Sequence, residues 1–449
     1  MSRLFGTDGV RGAANTELTP ELAFRLGKAA GMWFKQEDHH RPEILIGRDT
    51  RLSGQMLEAA LAAGICSAGG NAVLAGVLPT PAIAYLTSNN AFDAGVVISA
   101  SHNPFGDNGI KFFAHDGHKL PDAVEDEVAA LALADVVASD RPSGAGVGCI
   151  RRAEDDLLTS YAEHVFKAAG ASLSGLKVVL DCANGAAYEV APSVLRRLGA
   201  EVTVLFNEPD GVNINSACGS THLEKLQQAV VTAGADVGVA HDGDADRCLL
   251  VDAQGQVVDG DKIMAICANE LKSKGKLAAD TLVVTVMSNL GLHVAMRKLG
   301  IHCEVTAVGD RYVLESMREN GYSLGGEQSG HVIFADFATT GDGLITATQV
   351  LAAMQRSNRT LADLASIMTV YPQVLVNVQV KSKEGWETNA AIKQAIDAAE
   401  AKLGGDGRIL VRPSGTEPLI RVMAEGPDQT ELDALAASVA EVVVREMGN

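Results

Sequence analysis

A chain of 449 residues, 47% of them hydrophobic, fills several cores, and its length corresponds to about three or four domains. The formal net charge of -19 argues against a broad nucleic-acid or anionic-membrane surface, so an anionic ligand must be received by a local cluster of Arg, Lys and backbone N–H groups. Seven scattered cysteines with no Cys-x-x-Cys pair point to a reduced, cytoplasmic setting; the start, MSRLFGTDGVRG, is too polar for a signal peptide, and no apolar run approaches the roughly 20 residues that span a bilayer.

The opening segment LFGTDGVRG is rich in glycine and carries Asp8 and Arg11. Arg11 can grip a phosphate bidentately, or the segment is an ordinary turn before the first helix. That helix starts at Thr19, an N-cap before Pro20, and lays Leu22, Leu26 and Ala29 on one face. A strand (EILIGRD), a helix (GQMLEAALAAGICSAG) and a second strand (NAVLAG) follow. The same order recurs from LKVVLDCANG to AEVTVL and from DTLVVTVMSN to HCEVTAV, each helix ending near a glycine that reads as a C-cap.

Each of these three stretches later offers a further apolar strand that opens onto a polar loop: VVISASHNP, VGVAHDGDADR and YSLGGEQSGH. The repetition predicts three related α/β units up to about residue 370. Ligands in open α/β sheets bind beyond the carboxyl ends of the strands, which puts the three loops at a site. The Ser/Gly-rich stretch Ser139–Cys149 marks a first boundary, with others near Val251–Gly260 and Val370–Pro372, giving domains 1–150, 151–253, 254–369 and 370–449. The last alternates apolar and polar residues in VLVNVQVKS, has a helix over Asn389–Leu403 and another from Gln429, and reads as a small α+β domain.

Ser101, in SHNP, sits where a strand can hold a hydroxyl out into a cleft, although the same four residues are good turn chemistry. Asp242, Asp244 and Asp246 alternate in HDGDADR; three crowded carboxylates repel unless a cation neutralises them, and such hard oxygen ligands suit Mg²⁺ or Ca²⁺. An EF-hand is excluded because Arg247 and Ala253 stand where its glycine and glutamate belong. Arg247 either contacts a phosphoryl group or balances the aspartates. Cys248 reads as a core residue of the next strand. In GEQSGH, Glu327 and Ser329 can bond to vicinal sugar hydroxyls, and His331 is a candidate proton carrier, with Lys111 in NGIKFF as its competitor. RPSGTEP brings Arg412, Ser414 and Thr416 around Gly415 into a possible anion nest that Arg421 can reach, unless it is a plain hairpin turn.

ISASHNP, DGDADR, GEQSGH and RPSGTEP, in this order and over essentially the whole chain, resemble the α-D-phosphohexomutase superfamily, and FGTDGVRG with the Gln of GEQSGH is similar to its bacterial phosphoglucosamine mutase branch. The resemblance implies a four-domain, heart-shaped isomerase with Ser101 as phosphoserine and one Mg²⁺ per subunit on Asp242, Asp244, Asp246 and the Ser101 phosphate. It also implies sugar selection by Glu327 and Ser329, phosphate binding by Arg412 to Thr416, and catalytic roles for Arg11, Lys111, Arg247 and His331. The activity it implies interconverts glucosamine 6-phosphate and 1-phosphate through a 1,6-bisphosphate, which also serves as activator, for UDP-N-acetylglucosamine and cell-wall synthesis. The alternatives are a phosphoglucomutase or phosphomannomutase of the same superfamily, a phosphosugar-binding regulator and a hydrolase. A phosphosugar is the implied partner, with no nucleic acid, no membrane and a possible homodimer.

Overall fold

The computed structural model describes residues 3–6, 8–38, 40–134, 141–404, 407–414 and 418–448. Its first sheet holds β1 (Val10–Ala13), β2 (Glu43–Arg48), β3 (Asn71–Val77), β4 (Ala94–Ile98), β5 (Asp107–Ala114) and β6 (Ile150–Arg152) in the order β1-β5-β4-β2-β3-β6. The second holds β7 (Lys177–Asp181), β8 (Glu201–Leu205), β9 (Val237–His241), β10 (Cys248–Asp252) and β11 (Val257–Val258), ordered β11-β10-β9-β7-β8. The third holds β12 (Thr281–Thr285), β13 (His302–Thr306), β14 (Leu324–Gly326) and β15 (Val332–Phe334), ordered β13-β12-β14-β15.

One unit is common to the three sheets. β3-β2-β4, β8-β7-β9 and β13-β12-β14 are each parallel trios, and each is closed by one antiparallel strand, β5, β10 or β15. The parallel strands need crossover connections, and the helices Leu52–Ala68, Val190–Arg197 and Leu290–Lys298 supply the first crossover of each unit. Each unit therefore carries its polar loop at one place, between the last parallel strand and the antiparallel one. The repeat read from the sequence is this shared strand order.

The strands are apolar because both faces are covered: all five residues of β4, of β9 and of β12 are buried. Thr19 Oγ1 accepts a bond from Leu22 N–H at 3.3 Å and starts the helix Pro20–Asp38, whose Leu26 and Ala29 lie in the core of the first sheet with Leu22 packed at its margin. Cys248 is fully buried in β10, and among the described residues all seven cysteines are free thiols.

The last sheet, β16 (Gln373–Gln379), β17 (Arg408–Pro413) and β18 (Leu419–Glu425), is antiparallel in the order β16-β18-β17, and the helices Ala390–Leu403 and Gln429–Met447 share its apolar core. The chain forms two compact units, Met1–Met287 with Ile301–Ile367, and Ser288–Gly300 with Met368–Asn449. The helix Leu290–Lys298 thus belongs with the C-terminal sheet, although the sequence reading counts it with the third repeat. Asn289 explains this: its amide donates to the Tyr371 carbonyl and accepts from Tyr371 N–H, both at 3.0 Å. Among the described residues no helix is long and apolar enough to cross a membrane.

Candidate active site

Ser101 lies in the loop between β4 and β5 and is 2% exposed, with φ at 51°, a left-handed conformation uncommon outside glycine. Its surroundings hold it there. The guanidinium of Arg51, itself buried, donates from Nη2 to the carbonyls of Ser101 at 2.9 Å and Asn103 at 2.8 Å, from Nη1 to those of Pro104 and Asp107, and from Nε to Asp49 at 2.9 Å. Asn215 adds a second donor to the Ser101 carbonyl at 2.9 Å, and the Ser101 N–H donates to Ser99 Oγ at 3.0 Å. So placed, Ser101 Oγ donates to Asp242 Oδ2 at 2.6 Å.

Asp242, Asp244 and Asp246 occupy the loop between β9 and β10, all buried, with one ligand atom from each lying within 4.8 Å of the others. Gly243 lets this loop meet the serine loop, because a Cβ there would stand 2.6 Å from the Ser101 carbonyl oxygen. Burial, and then the charges of Asp246 and Asp244, push Asp242 well above the usual carboxylate range. Burial also works against a charge on Asp246, but His331, through its charge when protonated and its hydrogen bond, and then Lys111 and Arg247 together outweigh it and hold that carboxyl low. Among the described residues Asp244 Oδ1 and Asp246 Oδ1 are buried with no hydrogen-bond partner, the second lying 3.9 Å from Arg247 Nε, the expected state of oxygens that face a cation. An all-carboxylate donor set of this compactness fits a hard divalent ion.

A chain of polar contacts leaves the triad at Asp244 and returns to it at Asp246. Asp244 is 3.0 Å from Lys111, Lys111 is 3.0 Å from Asp8, Asp8 is 2.7 Å from Lys119, and Lys119 is 2.7 Å from Asp310. Asp310 lies 3.7 Å from His331 Nε2, and His331 Nδ1 returns to Asp246 at 3.4 Å. Burial disfavours the charge on Lys111, yet Asp244 and Asp8 raise its pKa far above that of a free lysine, which makes it a fixed positive charge. Burial likewise lowers His331, and Asp246 and Asp310 overcome it and lift the ring to about 9. Against this, the Gly341 N–H points at His331 Nε2 from 3.0 Å and needs a lone pair there. In this geometry the fixed main-chain donor favours the neutral ring with its proton on Nδ1, and a second proton requires Gly341 to turn away.

The other residues read from the sequence divide between the two compact units. Arg11 pairs with Asp8, and Arg247 N–H donates to Asp242 Oδ1 at 3.3 Å while its Nε, 3.9 Å from Asp246 Oδ1, has no hydrogen-bond partner among the described residues. In the loop between β14 and β15, Glu327 Oε1 accepts from Gly309 N–H at 3.1 Å, and Ser329 Oγ is buried with no hydrogen-bond partner among the described residues. Gln328 donates to Asp259 at 3.3 Å, the N-cap of the helix Gly260–Ser273, so its amide braces the loop. In the other unit, Arg412 and Arg421 are cross-strand partners on β17 and β18. Burial, then the like charge of Arg421, lowers the Arg412 pKa, and Arg421 donates to Ser414 Oγ at 3.4 Å. Two guanidinium groups opposed across a ladder suit an anion. Gly415 and Thr416 lie outside the described residues.

Sequence reasoning missed Arg51, Asn215, Lys119, Asp310 and Thr80. Arg51 and Thr80 stand in GRDTR and LPTPA, just past the ends of β2 and β3, and that position was the signal available.

Residues 2–136, 159–255, 259–371 and 375–442 match, in turn, the alpha/beta/alpha domains I, II and III and the C-terminal domain of the phosphoglucomutase/phosphomannomutase family. The phosphoglucosamine mutase of Symbiobacterium thermophilum is 58% identical over 448 residues, covering 100% of both chains. That of Desulforamulus reducens is 57% identical over 443 residues, 99% of each. A phosphoglucomutase/phosphomannomutase family protein from Burkholderia thailandensis has the same fold, with a TM-score of 0.81 at 24% identity over 99% of this chain and 98% of that one. The N-acetylphosphoglucosamine mutase of Aspergillus fumigatus, solved with GlcNAc-6P and magnesium, superposes with a TM-score of 0.71 at 19% identity over 98% and 95%. The chain belongs to the phosphoglucomutase/phosphomannomutase family of phosphohexomutases, and within it to the phosphoglucosamine mutases, which are isomerases.

Proposed function

We propose that the protein interconverts glucosamine 6-phosphate and glucosamine 1-phosphate, with Ser101 as the phosphoryl carrier. The observation that carries this reading is the Ser101 hydroxyl, buried 2.6 Å from a carboxylate of a cation-ready triad. In the first half-reaction the phosphoserine P–Oγ bond breaks, a P–O1 bond forms on the sugar, the O1 proton passes to a base and the freed Oγ takes up a proton. The 1,6-bisphosphate then turns end for end. In the second half-reaction the P–O6 bond breaks, a P–Oγ bond forms again, Oγ gives up its proton and O6 takes one up, so the sum is an isomerisation. The same bisphosphate would prime an unphosphorylated enzyme.

Asp242, Asp244, Asp246 and the Ser101 phosphate would hold one Mg²⁺ per subunit, which supplies charge neutralisation at the transferring phosphoryl group. Lys111 contributes fixed positive charge beside Asp244. Arg247 has a donor to spare for phosphate oxygens, and Arg11, ion-paired to Asp8, flanks them. His331 is the group able to change charge, because two carboxylates and one N–H compete over its protonation. Glu327 and Ser329 would read sugar hydroxyls, and Arg412, Ser414, Gly415, Thr416 and Arg421 would hold whichever phosphate is not reacting. The domains are divided at 1–150, 151–253, 254–369 and 370–449, and each carries one of the four loops. A cytoplasmic homodimer completes the proposal.

Phosphorus NMR tests it, with Mg²⁺, a trace of sugar 1,6-bisphosphate, and glucosamine, glucose and mannose 6-phosphates in parallel. Glucosamine 1-phosphate is expected to accumulate fastest, and Ser101→Ala to bind sugar phosphate without turnover. Faster conversion of glucose or mannose overturns the substrate; an active Ser101→Ala overturns the phosphoserine.

A further inference from the structure

We infer that Thr80 is a positioning residue for the cation site, fixing which oxygen of Asp244 a metal receives; the inference rests on the cation reading proposed above. Thr80 opens the helix Thr80–Asn89 and is 1% exposed. Its N–H donates to the Asp244 carbonyl at 2.9 Å and its Oγ1 to Asp244 Oδ2 at 2.7 Å, across 164 residues of sequence. Lys111 Nζ approaches the same Oδ2 at 3.0 Å. Two donors therefore meet at one carboxylate oxygen, while Oδ1, also buried, has no hydrogen-bond partner among the described residues.

A carboxylate that can rotate presents either oxygen to a metal and loses that freedom on binding. Here the rotation is already fixed. Lys111 alone does not fix it, because its ammonium, carried on a long stem, is shared with Asp8 at 3.0 Å. The threonine hydroxyl sits on a branched, stiff side chain at the start of a helix, so it sets a fixed point in space. Hydrogen bonds of this kind to a ligand's outer oxygen orient it and raise its affinity for the ion. Thr80 belongs to the first α/β repeat and Asp244 to the second, so the bond makes the cation site dependent on how these two repeats dock.

The test is Mn²⁺ binding to the metal-stripped full-length protein, followed by electron paramagnetic resonance, for the native chain, Thr80→Val and Thr80→Ser. Thr80→Val keeps the volume and the N–H bond but removes the hydroxyl, and is expected to weaken Mn²⁺ binding about 10- to 100-fold. The melting temperature without metal should be nearly unchanged. Thr80→Ser restores the hydroxyl and is expected to recover native affinity within about threefold, a rescue that a packing role would not give. Mn²⁺ affinity of Thr80→Val within about twofold of native overturns the inference, and so does a serine variant as weak as the valine one. If Thr80→Val fails to fold, Thr80→Ala removes the same hydroxyl and is read the same way. A native protein that binds no Mn²⁺ overturns the cation reading itself, and the inference with it.

Discussion

All five N–H groups of Arg51 are used in holding the serine loop and Asp49, and a lysine has only three donors on one nitrogen. Arg51→Lys should break at least two of these five bonds, at about 0.5–1.5 kcal/mol each, measurable as a lower urea midpoint. Because the loop carries Ser101, kcat should also fall by about 100-fold, as expected when a reacting atom shifts by an ångström. KM should hold steady, since Arg51 is buried behind the loop. Ser101 and the three aspartates were legible in the sequence because chemistry-bearing residues stood in polar loops directly after apolar runs. Arg51 and Thr80 were not, because a buried arginine and a helix-starting threonine look like ordinary surface and cap residues until distant partners are known. Gln328, which marks the branch in sequence, braces Asp259 in space, a contact with no trace in the sequence.

At the scale of elements, helix Gly343–Ser357 starts at Asp342, whose Oδ1 accepts from Ile345 N–H at 2.9 Å while Oδ2 accepts from the Tyr161 hydroxyl at 2.9 Å. Burial pushes Asp342 up to about 6, and the cap and tyrosine bonds only partly offset this. The native state therefore binds the Asp342 proton more tightly than the unfolded chain does. Its contribution is fully present below about pH 4 and is lost as pH rises through about 6. Asp342→Asn keeps the cap oxygen and removes the charge, so its stability relative to the native chain should rise across that window, by roughly 3 kcal/mol at pH 7.5. Paired urea titrations at several pH values check the sign, and a difference that does not vary with pH would refute it. Strands and helices were largely legible at this scale, from apolar runs and glycine C-caps. The allegiance of the helix Leu290–Lys298 was not, because the bonds between Asn289 and Tyr371 join residues 82 apart.

For the whole molecule, the two compact units should respond separately to the ion. The triad lies wholly in the unit built from the three repeats, so Mg²⁺ linkage acts there first. At a concentration 100 times Kd, bound Mg²⁺ should stabilise that unit by about 2.7 kcal/mol. Hydrogen exchange is expected to slow over residues 99–107 and 237–252, with no change across 373–404 and 418–448; uniform slowing over both units would contradict the localisation. The three-domain α/β repeat itself was visible in sequence as recurring strand, helix, strand order. The antiparallel closing strand was not, since direction leaves little trace in a short buried run.

That closing strand has an evolutionary consequence. Each repeat sends its chain out through one short connection and returns it alongside, so the three connections behave as separate cassettes on a common chassis. One carries Ser101, one Asp242, Asp244 and Asp246, and one Glu327 and Ser329. On the proposed reading, substitution within residues 327–331 is expected to retune which sugar is accepted while the strands beneath stay in register and the other two cassettes keep their chemistry. Selection for a new substrate would then have a five-residue window in which to work.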